Sequence, residues 1–152
     1  MTTMVGKEDN LVDLLQDLIK LDYDAIEAYE AAIGRLSDGE SQRRLREFMA
    51  DHQRHTENLA TYLRAMGEEV PEGPGGKALL AEGKVIVADL FGDKAVLKAM
   101  KTNEEDTNTA YERAVNHADT TPEIRATLQE NLQDERRHSA WIEQAIQTRK
   151  AA

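Results

Sequence analysis

Glu135 stands three residues before His138 in QDERRHSAWIE, residues 133–143, and His52 stands three residues before His55 in MADHQRHTENL, residues 49–59. Residues three apart on a helix share a face, so each pair presents two donor groups side by side. The two phrases align at an offset of 83, and the match runs on from Asp51 and Asp134 to Leu59 and Ile142. A second repeat, at an offset of 82, pairs Ala28-Tyr29-Glu30 with Ala110-Tyr111-Glu112. Seven residues before each of these tyrosines stands a carboxylate, Asp22 or Glu104. Imidazole and carboxylate in such register are ligands for a cation. With no cysteine in the chain, that cation is held by nitrogen and oxygen, a donor set suited to iron, manganese or zinc. The alternative is a surface network in which Glu135 pairs with Arg54, or Arg137 with Glu57.

The elements that must position these groups follow from the spacing of apolar residues. Four helices are expected, at about 10–36, 40–66, 93–117 and 121–148. Leu11, Leu14, Leu15, Leu18, Ile26, Tyr29 and Ile33 recur at helical spacing in the first, with Asn10 as N-cap. Ser37-Asp38-Gly39 breaks it, and Gly67 stops the second. Asp93 is expected to cap the third. Thr121-Pro122-Glu123 opens the fourth, as N-cap, first helical residue and first-turn acid. At ~100° per residue, seven positions return to within about 20° of the start, so Asp22 lies under Tyr29 and Glu104 under Tyr111. Asp22, His52, His55, Glu104, Glu135 and His138 thus interrupt four apolar stripes at mid-helix. Burying three carboxylates without partners is prohibitive, and a bound cation is the simplest neutralising agent.

The connections are unequal. Short turns make the first and second helices one antiparallel hairpin, and the third and fourth another. The link at 67–92 is long, holds two of the three prolines and is expected to include a short helix. Its apolar residues in 76–92 (Leu79, Leu80, Val85, Ile86, Val87, Leu90, Phe91) either cover the side of the bundle or form a dimer surface. The whole is expected to be one all-α domain over 1–152, two pseudosymmetric hairpins joined by a crossover.

Composition narrows the function. A net charge of −10, from 29 acidic and 19 basic residues, argues against nucleic-acid binding, which depends on neutralising phosphates. No stretch reaches the ~18 apolar residues of a membrane span, and MTTMVGKEDN lacks the apolar run of a secretory signal. A soluble cytoplasmic protein is the expectation. His117 is expected at the exposed C-terminal end of the third helix, interacting with its dipole.

These residues resemble the ferritin-like superfamily, in which a Glu from each of two helices and a Glu-x-x-His from each of the other two bind a pair of metals. Glu135-x-x-His138 matches that motif. Glu104 with Tyr111 resembles the single-carboxylate helix of rubrerythrins and bacterioferritins, and Asp22 with Tyr29 the other such helix. His55 matches the remaining motif histidine. The DHxRH phrase and the AYERAV segment are similar to a bacterial ferritin-like family of unknown function. The resemblance implies a ferritin-like antiparallel four-helix bundle that binds one or two ions, iron first and manganese or zinc otherwise, and reacts with oxygen or peroxide in a ferroxidase-type oxidation. It also makes a homo-oligomer plausible. The contrasting reading is a helical scaffold for partner binding, with a structural metal or none.

One departure from the family matters. His52 stands where the motif has a bridging glutamate, so the inward carboxylates supply −3 against the +4 of two divalent ions. A hydroxide, water or exogenous anion could bridge, or Glu30, Glu112, Asp51 or Asp134 could contribute, or the site could hold one metal. Tyr29 and Tyr111 are core tyrosines needing one hydrogen-bond partner each, or residues behind the ligands that orient a carboxylate. Glu30 and Glu112 are exposed, or lie behind the ligands in the same way.

Overall fold

The computed structural model describes residues 3–74 and 90–149. Among these, four α-helices carry the structure: α1 (Leu11–Arg35), α2 (Gly39–Ala65), α3 (Asp93–Val115) and α4 (Pro122–Thr148). The fold is an all-α bundle of the ferritin-like kind. The short helix expected in the crossover, and most of the apolar segment 76–92, lie outside the described residues. No described helix is long and apolar enough to cross a membrane.

Local chemistry explains most of the boundaries. Asn10 Oδ1 accepts the Asp13 amide at 2.8 Å, and Thr121 Oγ1 accepts the Ile124 amide at 3.3 Å. At the end of α2, Gly67 takes φ +71. There the Glu68 amide donates to Leu63 O at 2.9 Å and the Gly67 amide to Arg64 O at 3.0 Å, the paired bonds that close a helix on a left-handed glycine. Asp93 differs from expectation. Gly92, at φ +88, holds the N-cap position of α3 with no side-chain bond. Asp93 is the first helical residue, and its carboxylate instead accepts the Ser37 amide at 2.9 Å and the Asp38 amide at 3.0 Å. Those are donors at the turn before α2, where chain direction leaves them otherwise unpaired.

That contact also orients the bundle. The start of α3 sits beside the α1–α2 turn, so α2 ends at one end of the bundle and α3 begins at the other. Each packed pair of helices, α1 with α2, α3 with α4, α1 with α3 and α2 with α4, is therefore antiparallel. Two apolar clusters fill the interior. One holds Leu14, Leu15, Leu18, Leu59, Leu63 and Leu128; the other holds Leu45, Phe48, Leu97, Met100 and Ile142. The polar groups at mid-helix lie between them.

Residues before α1 pack onto α3. Val5 is buried, and Arg113 donates to Thr3 O at 2.5 Å and Val5 O at 3.2 Å. His117 is half-buried here rather than exposed: Nε2 donates to Glu8 O at 2.6 Å and Nδ1 accepts the Asp119 amide at 3.1 Å. Trp141 packs edge-on against Phe48, centroids 5.9 Å apart. Leu90 is half-buried against the second cluster, and Phe91 is 83% exposed beneath the Arg35 guanidinium.

Candidate metal centre

All six inward residues converge. Asp22, His52, His55, Glu104, Glu135 and His138 are each at most 1% exposed. α1 and α3 each supply one carboxylate, and α2 and α4 each supply two ligand candidates one turn apart. Their donor atoms fall into two groups: Asp22, His52, His55 and Glu135, and His52, Glu104, Glu135 and His138. Within each group the atoms lie within 4.8 Å of one another. His52 and Glu135 belong to both.

His52 sits at the centre. Its Nδ1 is 2.7 Å from Asp22 Oδ1 and 3.4 Å from Glu135 Oε1, and its Nε2 is 3.2 Å from Glu104 Oε1. His55 Nδ1 lies 3.3 Å from both Asp22 Oδ1 and Glu135 Oε1. His138 Nδ1 lies 3.3 Å from Glu104 Oε1 and 3.6 Å from Glu135 Oε2. Glu135 Oε1 is buried without a hydrogen bond, although two imidazole nitrogens face it. The oxygen is held there by charge alone, 3.4 Å from His52 Nδ1 and 3.3 Å from His55 Nδ1. An ion seated among these nitrogens and oxygens would satisfy it, so the donor set fits a bound cation.

The outer nitrogens of two histidines are held from across the bundle. His55 Nε2 is 2.9 Å from Asp134 Oδ2 on α4, and His138 Nε2 is 2.8 Å from Asp51 Oδ2 on α2. Arg54 binds Asp51 at 3.0 Å and also Asp134; Arg137 binds Asp51 at 2.7 Å and Asp134 at 2.9 Å. The arginine network anticipated as an alternative therefore exists, but its partners are these aspartates. Glu135 faces inward instead.

The tyrosines also cross between hairpins. Tyr29 on α1 donates to Glu104 on α3, and Tyr111 on α3 donates to Asp22 on α1 at 2.5 Å. Spacing alone had set each tyrosine over the carboxylate of its own helix. Glu30 and Glu112 stay out of the site: both are exposed, and Glu112 pairs with Arg136 at 3.7 Å. Each follows a buried tyrosine by one residue, and that rotation of ~100° carries it from the inside of the bundle to the outside. Spacing also did not single out Thr107 and Asn108. Thr107 Oγ1 donates to Glu135 Oε2 at 3.0 Å. Asn108 Nδ2 donates to the carbonyls of Glu104 and Glu135, at 2.7 and 3.2 Å, and ties α3 to α4. Their only sequence signal is position, three and four residues after Glu104.

Burial and charge compete across the centre. Burial opposes charge on all three histidines, but the surrounding carboxylates outweigh it. His52 is raised to about 9 by Glu135, Asp22 and Glu104. His55 is raised to about 12 by Asp134, Asp22 and Glu135, and His138 to about 11 by Asp51, Glu104 and Glu135. Burial works against Asp22 and Glu104 as well, yet the facing histidines hold both below the usual carboxylate range. Three histidines with raised pKa values thus face three acidic side chains, and among the described residues no lysine or arginine lies in the group. Tyr29 and Tyr111 are pushed well above 10, first by burial and then by Glu104 and Asp22 respectively. A cation entering this site competes with protons.

Comparison with known proteins places the chain among others of this architecture. The model of a family described as a domain of unknown function, DUF2383, matches residues 10–117. A conserved hypothetical protein from Mycobacterium tuberculosis superposes with a TM-score of 0.75 at 16% identity, covering 91% of each chain. A crystal structure described as ferritin-like, diiron-carboxylate proteins, from Bacillus anthracis str. Ames, superposes with a TM-score of 0.70 at 20% identity, covering 94% of this chain and 98% of that one. No curated protein matches.

Proposed function

For this chain, which belongs to the family of unknown function DUF2383, we propose a non-haem metal-binding role: the six inward residues hold iron, as one or two ions, for oxidation by oxygen or peroxide. Manganese and zinc share the donor chemistry. The observation that carries the reading is the convergence of six buried nitrogen and oxygen donors from four helices, with Glu135 Oε1 in no hydrogen bond and 3.3–3.4 Å from two imidazole nitrogens. The ferritin-like fold, and the diiron-carboxylate description of a structural neighbour, support it further.

Bound iron would supply open coordination positions and a one-electron donor. The protein's own residues supply the rest. Asp22, Glu104 and Glu135 offer oxygens; His52, His55 and His138 offer nitrogens. Asp134 and Asp51 orient His55 and His138 from outside, which sets the inward Nδ1 as the ligating atom. Tyr29 and Tyr111 each occupy one oxygen of a terminal carboxylate and limit its swing. The two apolar clusters on either side keep bulk water from the site.

The test is oxygen uptake after ferrous ion is added anaerobically and air is admitted. Wild type should consume oxygen in proportion to iron bound, and Glu135→Ala should slow the reaction at least tenfold. Equal kinetics in the two proteins would sink the assignment. A second reading, a helical scaffold for partner binding, is favoured by the charge balance within the six side chains, which lets the bundle fold without a cation. It predicts no metal retained after gel filtration and no oxygen uptake.

A further inference from the structure

His52 differs from the other two histidines in what its ring touches. His55 and His138 each turn one nitrogen inward and give the other to an aspartate outside the site, the usual support for a ligand that binds through one atom. Among the described residues, the ring nitrogens of His52 face only Asp22, Glu135 and Glu104, all members of the candidate ligand set. Nδ1 points into the group containing Asp22 and His55, and Nε2 toward Glu104. Glu135 is split the same way: Oε1 faces His55 and Oε2 faces His138. The two residues are counterparts in the repeat, at the offset of 83.

We propose that His52 is a bridging ligand. Its Nδ1 binds the ion held by Asp22, His55 and Glu135, and its Nε2 binds a second ion held by Glu104, His138 and Glu135. The inference rests on the metal-binding reading above and specifies how the pair is joined. Each ion then receives two imidazole nitrogens and two carboxylate oxygens, in a near-symmetric arrangement. To bind through both nitrogens the ring, whose pKa in the empty site is raised, gives up the protons of both N–H groups to solvent, and the two freed lone pairs go one to each ion. The bridging ring is then an imidazolate carrying −1. With Asp22, Glu104 and Glu135 the ligand charge becomes −4, which balances two divalent ions without an added anion. The bridging carboxylate missing at position 52 is thereby replaced by an anion of different shape. An imidazole ring also spaces its ions more widely than the ~3.5–4 Å of oxygen-bridged two-metal sites.

Zinc is the probe, because nitrogen–oxygen sites bind Zn²⁺ more tightly than Fe²⁺ in general. Full-length protein treated with chelator, then given excess Zn²⁺ and desalted, is assayed for zinc content, crystallised, and its anomalous scatterers located. The expected result is two zinc ions per chain on opposite sides of the His52 ring, more than ~4 Å apart. His52→Gln should lose one ion of the two. His52→Glu should keep both and draw them closer together. Two ions within ~4 Å with His52 on only one, or a single ion per chain, would overturn the bridge and leave the metal-binding reading intact. Retention of no zinc would overturn that reading and the bridge together. The wild-type map decides between these outcomes even if both variants fail to fold.

Discussion

His55 in the first hairpin and His138 in the second meet the same chemistry: a buried carboxylate on the inner nitrogen, an aspartate from the opposite hairpin on the outer one. The next pair related by the repeat, His52 and Glu135, does not. One is a flat ring with nitrogens on two sides; the other is a carboxylate with one oxygen bonded to Thr107 and the other bonded to nothing. Thr107 has no equivalent in the first hairpin, where Ala25 follows Asp22 at the same interval. Two hairpins with nearly the same instructions therefore build a site that is symmetric at its ends and asymmetric at its middle. The lesson is that pseudosymmetry constrains the residues that close the site across the bundle, while the central pair is free to diverge because each member already reaches both halves.

The hardest blow to this arrangement is removal of the shared carboxylate. Glu135→Ala leaves the charges on His55 and His138 short of a partner, and breaking a buried pair costs about 3–5 kcal/mol. Urea denaturation in the presence of chelator should show a loss of that order. A change under about 1 kcal/mol would mean that the central groups do not interact as the distances indicate.

Changing pH tests both hairpins at once. Each histidine is raised in the folded state, so its contribution is fully present below the ~6.5 of the unfolded chain and is lost as pH climbs toward the folded value. For His52 that window runs from ~6.5 to about 9; for His138 and His55 it extends to about 11 and about 12. The carboxylates have the opposite sign. Asp134, lowered to about 2 by His55, Arg137 and Arg54 against the cost of burial, contributes above ~3.9 and is lost as pH falls. Chelator-treated protein should therefore melt highest between about pH 4 and 6.5 and lower at pH 9. Metal affinity should run the other way and rise with pH. A Tm that rises from pH 6.5 to 9 in the presence of chelator would contradict the protonated cluster.

The two outer aspartates offer a direct comparison of the ends. Asp51→Asn and Asp134→Asn each weaken one charge-assisted hydrogen bond to an imidazole, a loss of about 1.5–3 kcal/mol, together with half-exposed pairs to Arg54 and Arg137 that add little. By the symmetry of the ends the two losses should agree within about 0.5 kcal/mol. A gap much larger than that would show that the hairpins differ at their ends as well as their centre. The smallest expected effect is that of Tyr29→Phe and Tyr111→Phe, about 1.5 kcal/mol each, the low end for a hydrogen bond to a charged group, read in the same denaturation series.

The amino-acid sequence alone determined a good deal. Helical periodicity placed Asp22, His52, His55, Glu104, Glu135 and His138 on apolar faces, and the repeat implied that those faces meet, because a buried polar stripe needs a counterpart. Asn10, Gly67 and Thr121 mark helix ends through local bonds within a few residues, which is why they were legible. Only the tertiary structure decided the partners. Asp51 is one turn from His55 on the same helix, yet His55 bonds Asp134 and His138 bonds Asp51, because antiparallel packing of α2 on α4 brings each aspartate opposite the other helix's histidine. Tyr29 and Tyr111 exchange carboxylates for the same reason. Asp93 turned from an expected cap of its own helix to a ligand for the turn beside it. Spacing along one helix gives an angle and a height. Which neighbour stands at that angle is set by how four helices pack, and with it the charge on each histidine.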